Sequence, residues 1–172
     1  SSIAPLVFVI SLSMMREGFE DYARHKSDIE LNSSRSTKYE EGAWKKVEWK
    51  NIYVGDYVKI VDNEFFPTDM ICLASSDPEG NCFIQTSSLD GEKNLKPKMA
   101  ISATQKLIGN GEVVRVIGDV SCDPPNSDLY ALGGTMQIGG DDKLPLSAKN
   151  LLLRGAVLKN TSWIIGVVIY TG

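Results

Sequence analysis

Hydrophobic and polar positions change rhythm twice along this chain. Residues 3–15 form an apolar run of thirteen, broken only by Ser11 and Ser13. From Arg16 the chain becomes charged. Arg16 with Glu20, and Glu20 with Arg24, set opposite charges four residues apart, which supports a helix. Phe19, Tyr22, Lys26 and Ile29 trace one stripe at helical spacing. Asn32-Ser33-Ser34 closes the pattern, so the first thirty or so residues are predicted to be one helix. Its switch from apolar to charged at Arg16 is the pattern of a helix leaving a bilayer. A run of thirteen falls short of the roughly twenty residues that a span requires. Two readings stand: a core helix, or the cytoplasmic end of a transmembrane span. No basic start with a small-residue cleavage site marks a secretory signal.

From about Trp44 the period shortens. Segments 44–50, 52–61, 69–75 and 81–87 are short and rich in Val, Ile, Tyr, Phe and Thr. Val54-Gly55-Asp56, Asp62-Asn63 and Asp77-Pro78-Glu79-Gly80-Asn81 separate them as turns. Segments 112–120, 128–132, 134–139, 151–158 and 163–170 continue the series, and many short strands at regular spacing predict an all-β domain. Residues 99–107 are predicted to form a short helix. Cys122-Asp123-Pro124-Pro125-Asn126-Ser127 is predicted to be a rigid loop, because tandem prolines fix two φ angles and remove two donors. Gly133-Gly134 and Gly139-Gly140 bracket one strand as turns. The last segment, 163–170, is apolar apart from Gly166 and suits a buried strand. The expected fold is therefore mainly β, a sandwich or jelly roll led by a helix. The division is a helix over 1–32 and a β-domain over 33–172.

Composition narrows the function classes. A chain of 172 residues is long enough to bury roughly 70% of its unfolded surface. Its net charge of −4, with no long basic run, argues against nucleic acid as a partner. Cys72, Cys82 and Cys122 are odd in number and lack CxxC spacing, so reduced, partly buried thiols are expected. His25 has no ligand cluster around it, and no metal site is expected.

The segment richest in chemistry is Gln85-Thr86-Ser87-Ser88-Leu89-Asp90-Gly91-Glu92-Lys93-Asn94-Leu95-Lys96. A β-like run ends in Asp90-Gly91, a strong turn dipeptide, and a carboxylate follows at once. A glycine there lets the backbone turn sharply. Glu92 would then project from a rigid sheet on a short loop, a mounting suited to a group that must reach another body. Lys93, Lys96 and Lys98 suggest a basic patch beside it, either solvating the loop or attracting a phosphorylated partner.

Asp90-Gly91-Glu92-Lys93-Asn94-Leu95-Lys96 resembles the Asp-Gly-Glu-Thr…Asn-Leu-Lys motif in the actuator domain of lipid-flipping, type IV P-type ATPases. Lys93 stands where that motif has threonine. Other segments resemble the same branch in order. Arg16-Glu17-Gly18-Phe19-Glu20-Asp21 with Arg24-His25-Lys26-Ser27-Asp28 is similar to its helix leaving the second span. Val54-Gly55-Asp56 with Phe65-Phe66-Pro67-Thr68-Asp69 is similar to a paired motif that usually carries alanine at the Thr68 position. Cys122-Asp123 with Pro125-Asn126-Ser127-Asp128-Leu129-Tyr130 resembles an insertion of the lipid branch. Leu151-Leu152-Leu153-Arg154-Gly155-Ala156, Lys159-Asn160-Thr161 and Gly166-Val167-Val168 resemble its closing strands.

The resemblance implies a distorted jelly roll, or double-stranded β-helix, with an N-terminal membrane-proximal helix. It implies a cytoplasmic domain of a multi-pass membrane protein. Such a domain drives dephosphorylation of an aspartyl-phosphate intermediate and couples it to phospholipid translocation. The implied catalytic site is Glu92, with Asp90 and Gly91. Magnesium and ATP would serve the parent enzyme, and no cofactor is implied in this chain. It carries no Asp-Lys-Thr-Gly-Thr phosphorylation site and no GxxxxGK[ST] nucleotide motif. Implied partners are the parent's phosphorylation and nucleotide-binding domains, the membrane through flanking helices, and a small two-span accessory subunit. Two other readings stand: a soluble β-sandwich that binds a ligand or peptide without catalysis, which explains the strands and turns, and a free-standing hydrolase using Glu92. The second lacks another catalytic group within reach by sequence.

Overall fold

One of the expected charge pairs is present on the N-terminal helix. In the computed structural model, which describes residues 3–108, 117–122, 133–138 and 143–171, α1 spans Ile3–Ser33. Arg16 Nε donates to Glu20 Oε1 at 2.9 Å. The apolar residues of its first half, among them Leu6, Phe8, Ile10 and Met14, are exposed. Among the described residues, no helix is long and apolar enough to cross a membrane.

The β-structure begins earlier than Trp44. β1 (Arg35–Glu40) and β2 (Ala43–Glu48) form a hairpin in which Glu40 faces Ala43. Its two loop residues, Glu41 and Gly42, both have positive φ (53° and 84°), as the two-residue turn matching strand twist requires. β1 is polar in sequence, yet Ser36 and Lys38 are buried. Lys38 Nζ meets the Asp56 carboxylate at 2.8 Å, and this pairing makes its burial tolerable.

The remaining strands are β3 (Tyr57–Val61), β4 (Asp69–Ser75), β5 (Asn81–Gln85), β6 (Leu95–Met99), β7 (Ile117–Cys122) and β8 (Gly134–Ile138). β9 (Leu144–Leu146), β10 (Leu151–Leu152), β11 (Val157–Lys159) and β12 (Trp163–Tyr170) follow. A six-stranded sheet has the order β10-β4-β12-β3-β1-β2, and every pairing in it is antiparallel. Two three-stranded sheets, β11-β5-β6 and β7-β8-β9, complete the β-structure among the described residues. The predicted strand 128–132, residues 112–116, the loop beyond Cys122 and the Gly139-Gly140 turn lie outside the described residues. Within 52–61 only β3 is strand, because Val54-Gly55-Asp56 turns the chain first, with Gly55 at φ 91°.

β4 and β12 are buried on both faces, which is why their central residues, 70–74 and 164–169, read as apolar runs. Met70 and Cys72 of β4 join Ile164 and Val168 of β12 in one core with Cys82, Ile84, Leu158 and Phe66. Ile71 and Leu73 join Ile165, Val167 and Ile169 in a second core with Ile101, Ile108, Met136 and Leu146. The register shifts between Ile165 and Gly166. A Cβ at Gly166 would lie 2.9 Å from the Met70 sulfur and 3.0 Å from the Ile71 carbonyl oxygen, so the sheet needs glycine there.

The predicted helix over 99–107 is α3, Ser102–Ile108. Its buried polar groups fasten it to β4. Gln105 Oε1 accepts the Ser75 N–H at 2.8 Å, and its amide donates to the carbonyls of Ser75 and Asp77. Thr104 Oγ1 donates to the Leu73 carbonyl at 2.6 Å. On β3 of the six-stranded sheet, the Lys59 ammonium lies near two indoles, 5.8 Å from the Trp44 ring centre and 5.1 Å from that of Trp163.

Candidate functional site

The chain between the antiparallel strands β5 and β6 carries the Asp90-Gly91-Glu92 segment, and a short helical turn stands where a simple turn is expected. β5 stops at Gln85. Residues Ser87–Asp90 then form a single helical turn, α2, with the N–H groups of Leu89 and Asp90 donating to the Thr86 carbonyl. Gly91 closes that turn in the left-handed region, at φ 75°, and its N–H reaches the Ser87 carbonyl at 3.2 Å. Asp90-Gly91 is therefore a helix C-terminus, where glycine serves because it lacks the Cβ that left-handed backbone penalises.

Asp90 organises the loop. Its carboxylate accepts the buried Thr86 hydroxyl at 3.0 and 3.1 Å, the Glu92 N–H at 3.0 Å, and the Lys96 ammonium at 2.6 Å. The bond to the N–H two residues on is the local turn that short carboxylates favour. Lys96 Nζ also stands 3.0 Å from Glu92 Oε2. The Glu92 side chain remains 47% exposed, whereas Asp90 and Lys96 are each 22% exposed. Glu92 is thus the outward member of the three.

α2 rests on the turn between β10 and β11. Ser88 Oγ donates to the Gly155 carbonyl at 2.6 Å, and Gly155 itself sits at φ 82°. That turn is held by Phe66, whose N–H donates to Ala156 and whose carbonyl accepts the Gly155 N–H, both at 2.9 Å. The Phe65-Phe66-Pro67-Thr68-Asp69 and Leu153-Arg154-Gly155-Ala156 segments therefore act together as the base of the loop.

The three lysines do not form one patch. Lys98 is buried, with its ammonium donating to the Ala148 carbonyl at 2.7 Å, and burial pulls its pKa below the usual lysine value. Lys96 is engaged with two carboxylates. Of the three, Lys93 is the exposed one. Cys72 and Cys82 are free and buried, and Cys122 is free and half-buried, as expected. Cys82 beside it, together with burial, pushes the Cys72 thiol well above the ordinary range.

Residues 30–171 match the family model of the P-type ATPase actuator domain. The chain belongs to that family. Its curated relatives include phospholipid-transporting ATPase ID of Mus musculus, 41% identical over 172 residues. Phospholipid-transporting ATPase C887.12 of Schizosaccharomyces pombe is 43% identical over 173 residues. Probable phospholipid-transporting ATPase 12 of Arabidopsis thaliana is likewise 43% identical over 173 residues. In each case the match covers 100% of this chain and 14% of the relative. Among solved structures, a zinc-transporting PIB-type ATPase in the E2.Pi state aligns with 82% of this chain and 14% of its own, at 13% identity and TM-score 0.44.

In this actuator domain, Asp56 of Val54-Gly55-Asp56 accepts the Tyr53 N–H at 2.7 Å and pairs with Lys38, so it shapes a turn. Thr68 is 2% exposed, and its hydroxyl has no hydrogen-bond partner among the described residues. Sequence reasoning assigned no role to Thr86, Ser88 or Gly155 in mounting the loop. One signal was available: Thr86 with Asp90, and Glu92 with Lys96, are complementary pairs four residues apart.

Proposed function

We propose that this actuator domain serves a phospholipid-transporting P-type ATPase, and that Glu92 hydrolyses the aspartyl phosphate formed on another domain of the parent. Support comes from one observation above others: an exposed Glu92 carboxylate on a loop whose neighbours, Asp90 and Lys96, are tied to one another and to the β-framework. Such a mounting suits a group carried into a second domain.

The chemistry needs little else from this chain. A water oxygen attacks phosphorus, and the bond from phosphorus to the aspartyl oxygen breaks. Aspartate leaves as carboxylate, and Glu92 takes the proton the water loses. Phosphoryl transfer depends chiefly on placement and charge, so a rigid β-domain delivering one loop is a sufficient device. Gly91 gives the backbone its reversal, and Asp90 holds the Glu92 N–H. Magnesium and ATP would be held by the parent's other domains in this reading.

The partners are then the phosphorylation and nucleotide-binding domains. The domain is cytoplasmic, and α1 transmits its movement to the membrane helices, where a small accessory subunit would also dock. The test is Glu92→Gln in the full-length protein. Glutamine keeps the size but cannot accept the proton, so phosphoenzyme should form normally from ATP. Its decay after a chase should then slow by about 10²–10⁴-fold. Decay at the wild-type rate would remove Glu92 from this role.

A further inference from the structure

We propose that Lys96 and Asp90 are positioning residues for Glu92, with Lys96 fixing where its carboxylate points. The inference rests on the hydrolytic role of Glu92 given above and deepens it. Lys96 leaves β6 at a position whose backbone pairs with Ile84 of β5, so its starting point is set by the sheet. Its ammonium then spans Asp90 Oδ2 at 2.6 Å and Glu92 Oε2 at 3.0 Å. Asp90 cannot easily follow Glu92, because the buried Thr86 hydroxyl and the Glu92 N–H also hold it. The result is a chain of constraint running from the sheet through Lys96 to the exposed carboxylate.

Charge makes the lysine necessary. Two carboxylates two residues apart repel each other, and a single ammonium lies between them. Without it, Glu92 would swing away from Asp90 and sample many rotamers. An exposed ion pair contributes little to stability. Its effect on a reaction that depends on placement is larger, because a displacement of about 1 Å can cost about 10²-fold in rate. Lys93 does not fill this role. Its exposed side chain lies outside the Asp90–Lys96–Glu92 set, and its backbone carbonyl faces the Gln85 amide at 3.5 Å.

The experiment is a double-mutant cycle on phosphoenzyme decay in the full-length protein, with Lys96→Met, Lys96→Arg, Glu92→Gln and Lys96→Met/Glu92→Gln. Lys96→Met should slow decay by roughly 10- to 100-fold while phosphorylation by ATP is unchanged. Lys96→Arg, which keeps the charge, should restore most of the rate. In the Glu92→Gln background, Lys96→Met should slow decay no further, because it acts through Glu92. A brace that merely held the domain together would slow both backgrounds alike and would not depend on charge. If Lys96→Met prevents phosphorylation altogether, Asp90→Asn carries the test. It keeps an acceptor for Thr86 and the Glu92 N–H but loses the charge that anchors Lys96, and it should also slow decay. Wild-type decay in Lys96→Met, or additivity with Glu92→Gln, overturns the positioning role while leaving Glu92 as the base. Wild-type decay in Glu92→Gln overturns both.

Discussion

The Asp69 carboxylate accepts the backbone N–H of Arg154 at 2.8 Å, joining residues 85 apart in the chain. The turn it secures carries Gly155, whose carbonyl receives Ser88 of the Glu92 loop. Asp69→Ala should leave the Arg154 N–H without its acceptor and destabilise the domain by about 1–3 kcal/mol. Asp69→Asn retains an acceptor oxygen and should cost less. Urea unfolding of the three proteins decides it, and equal midpoints for wild type and Asp69→Ala would show that the bond does not matter.

Thr68 offers the opposite sign. Its hydroxyl is enclosed without a partner among the described residues, where the family's usual alanine would have nothing to satisfy. Thr68→Val keeps the shape and removes the polar atom, so it should stabilise the domain by about 1–2 kcal/mol. Thr68→Ala also relieves the hydroxyl but deletes a methyl, offsetting about 0.8 kcal/mol of that gain. A lower unfolding midpoint for Thr68→Val would mean that the hydroxyl has a partner after all.

The parts of this fold legible in sequence are those where one physical signal dominates. β4 from Met70 to Ala74 and β12 from Ile164 to Ile169 are covered on both faces and so are apolar there; α1 declares itself by charge pairs and by its change at Arg16. β1 escaped notice because its inward side is Ser36 and Lys38, made acceptable by Asp56, a partner 18 positions beyond Lys38 in the numbering. β6 reverses the usual pattern. Lys96 and Lys98 point inward, while Leu95, Pro97 and Met99 are exposed. Its proline is admissible because β6 lies at the edge of its sheet. The site divides in the same way. The turn at Gly91 is readable from local chemistry, since Asp-Gly is a strong turn dipeptide, whereas Glu92 is singled out by the resemblance of its segment to the family motif. The tie from Lys96 to Asp90 depends on where a strand begins after an irregular stretch, which spacing alone does not give.

Lys98 supplies a pH dependence. Its folded pKa is lowered by burial, so between that value and the unfolded value near 10.4 the unfolded chain binds more protons. Stability from this group must then rise with pH across that window, and it is lost as pH falls through the folded pKa. The difference in unfolding free energy between wild type and Lys98→Met isolates it from other titrating groups. That difference should move in favour of wild type as pH rises toward the unfolded lysine value near 10.4. A flat difference would show that Lys98 is protonated equally in both states. Cys72 works in the other direction, since its raised pKa contributes stability that fades as pH climbs past the unfolded thiol value. Lys98→Met should therefore be compared with Cys72 intact in both proteins.

Gly91 separates stability from function most cleanly. Its φ of 75° lies in left-handed space, yet a Cβ built there meets nothing within 4 Å. Gly91→Ala therefore carries a backbone cost and no steric clash, on the order of 1–2 kcal/mol. Asparagine tolerates this conformation better, so Gly91→Asn should be the milder change. The backbone can relieve alanine's strain by leaving the left-handed region. That motion would draw the Glu92 N–H off Asp90 and turn the carboxylate away from its present direction. The loop is exposed and lies on the surface, so the domain should stay folded, with its unfolding midpoint only modestly lowered. Phosphoenzyme decay in the full-length protein should slow far more, by about 10²-fold for a displacement near 1 Å. Gly91→Asn should fall between wild type and Gly91→Ala in both measurements. If Gly91→Ala lowers the unfolding midpoint as expected but leaves decay unchanged, then the reversal at Gly91 does not aim Glu92, and the loop finds its working shape only against its partner.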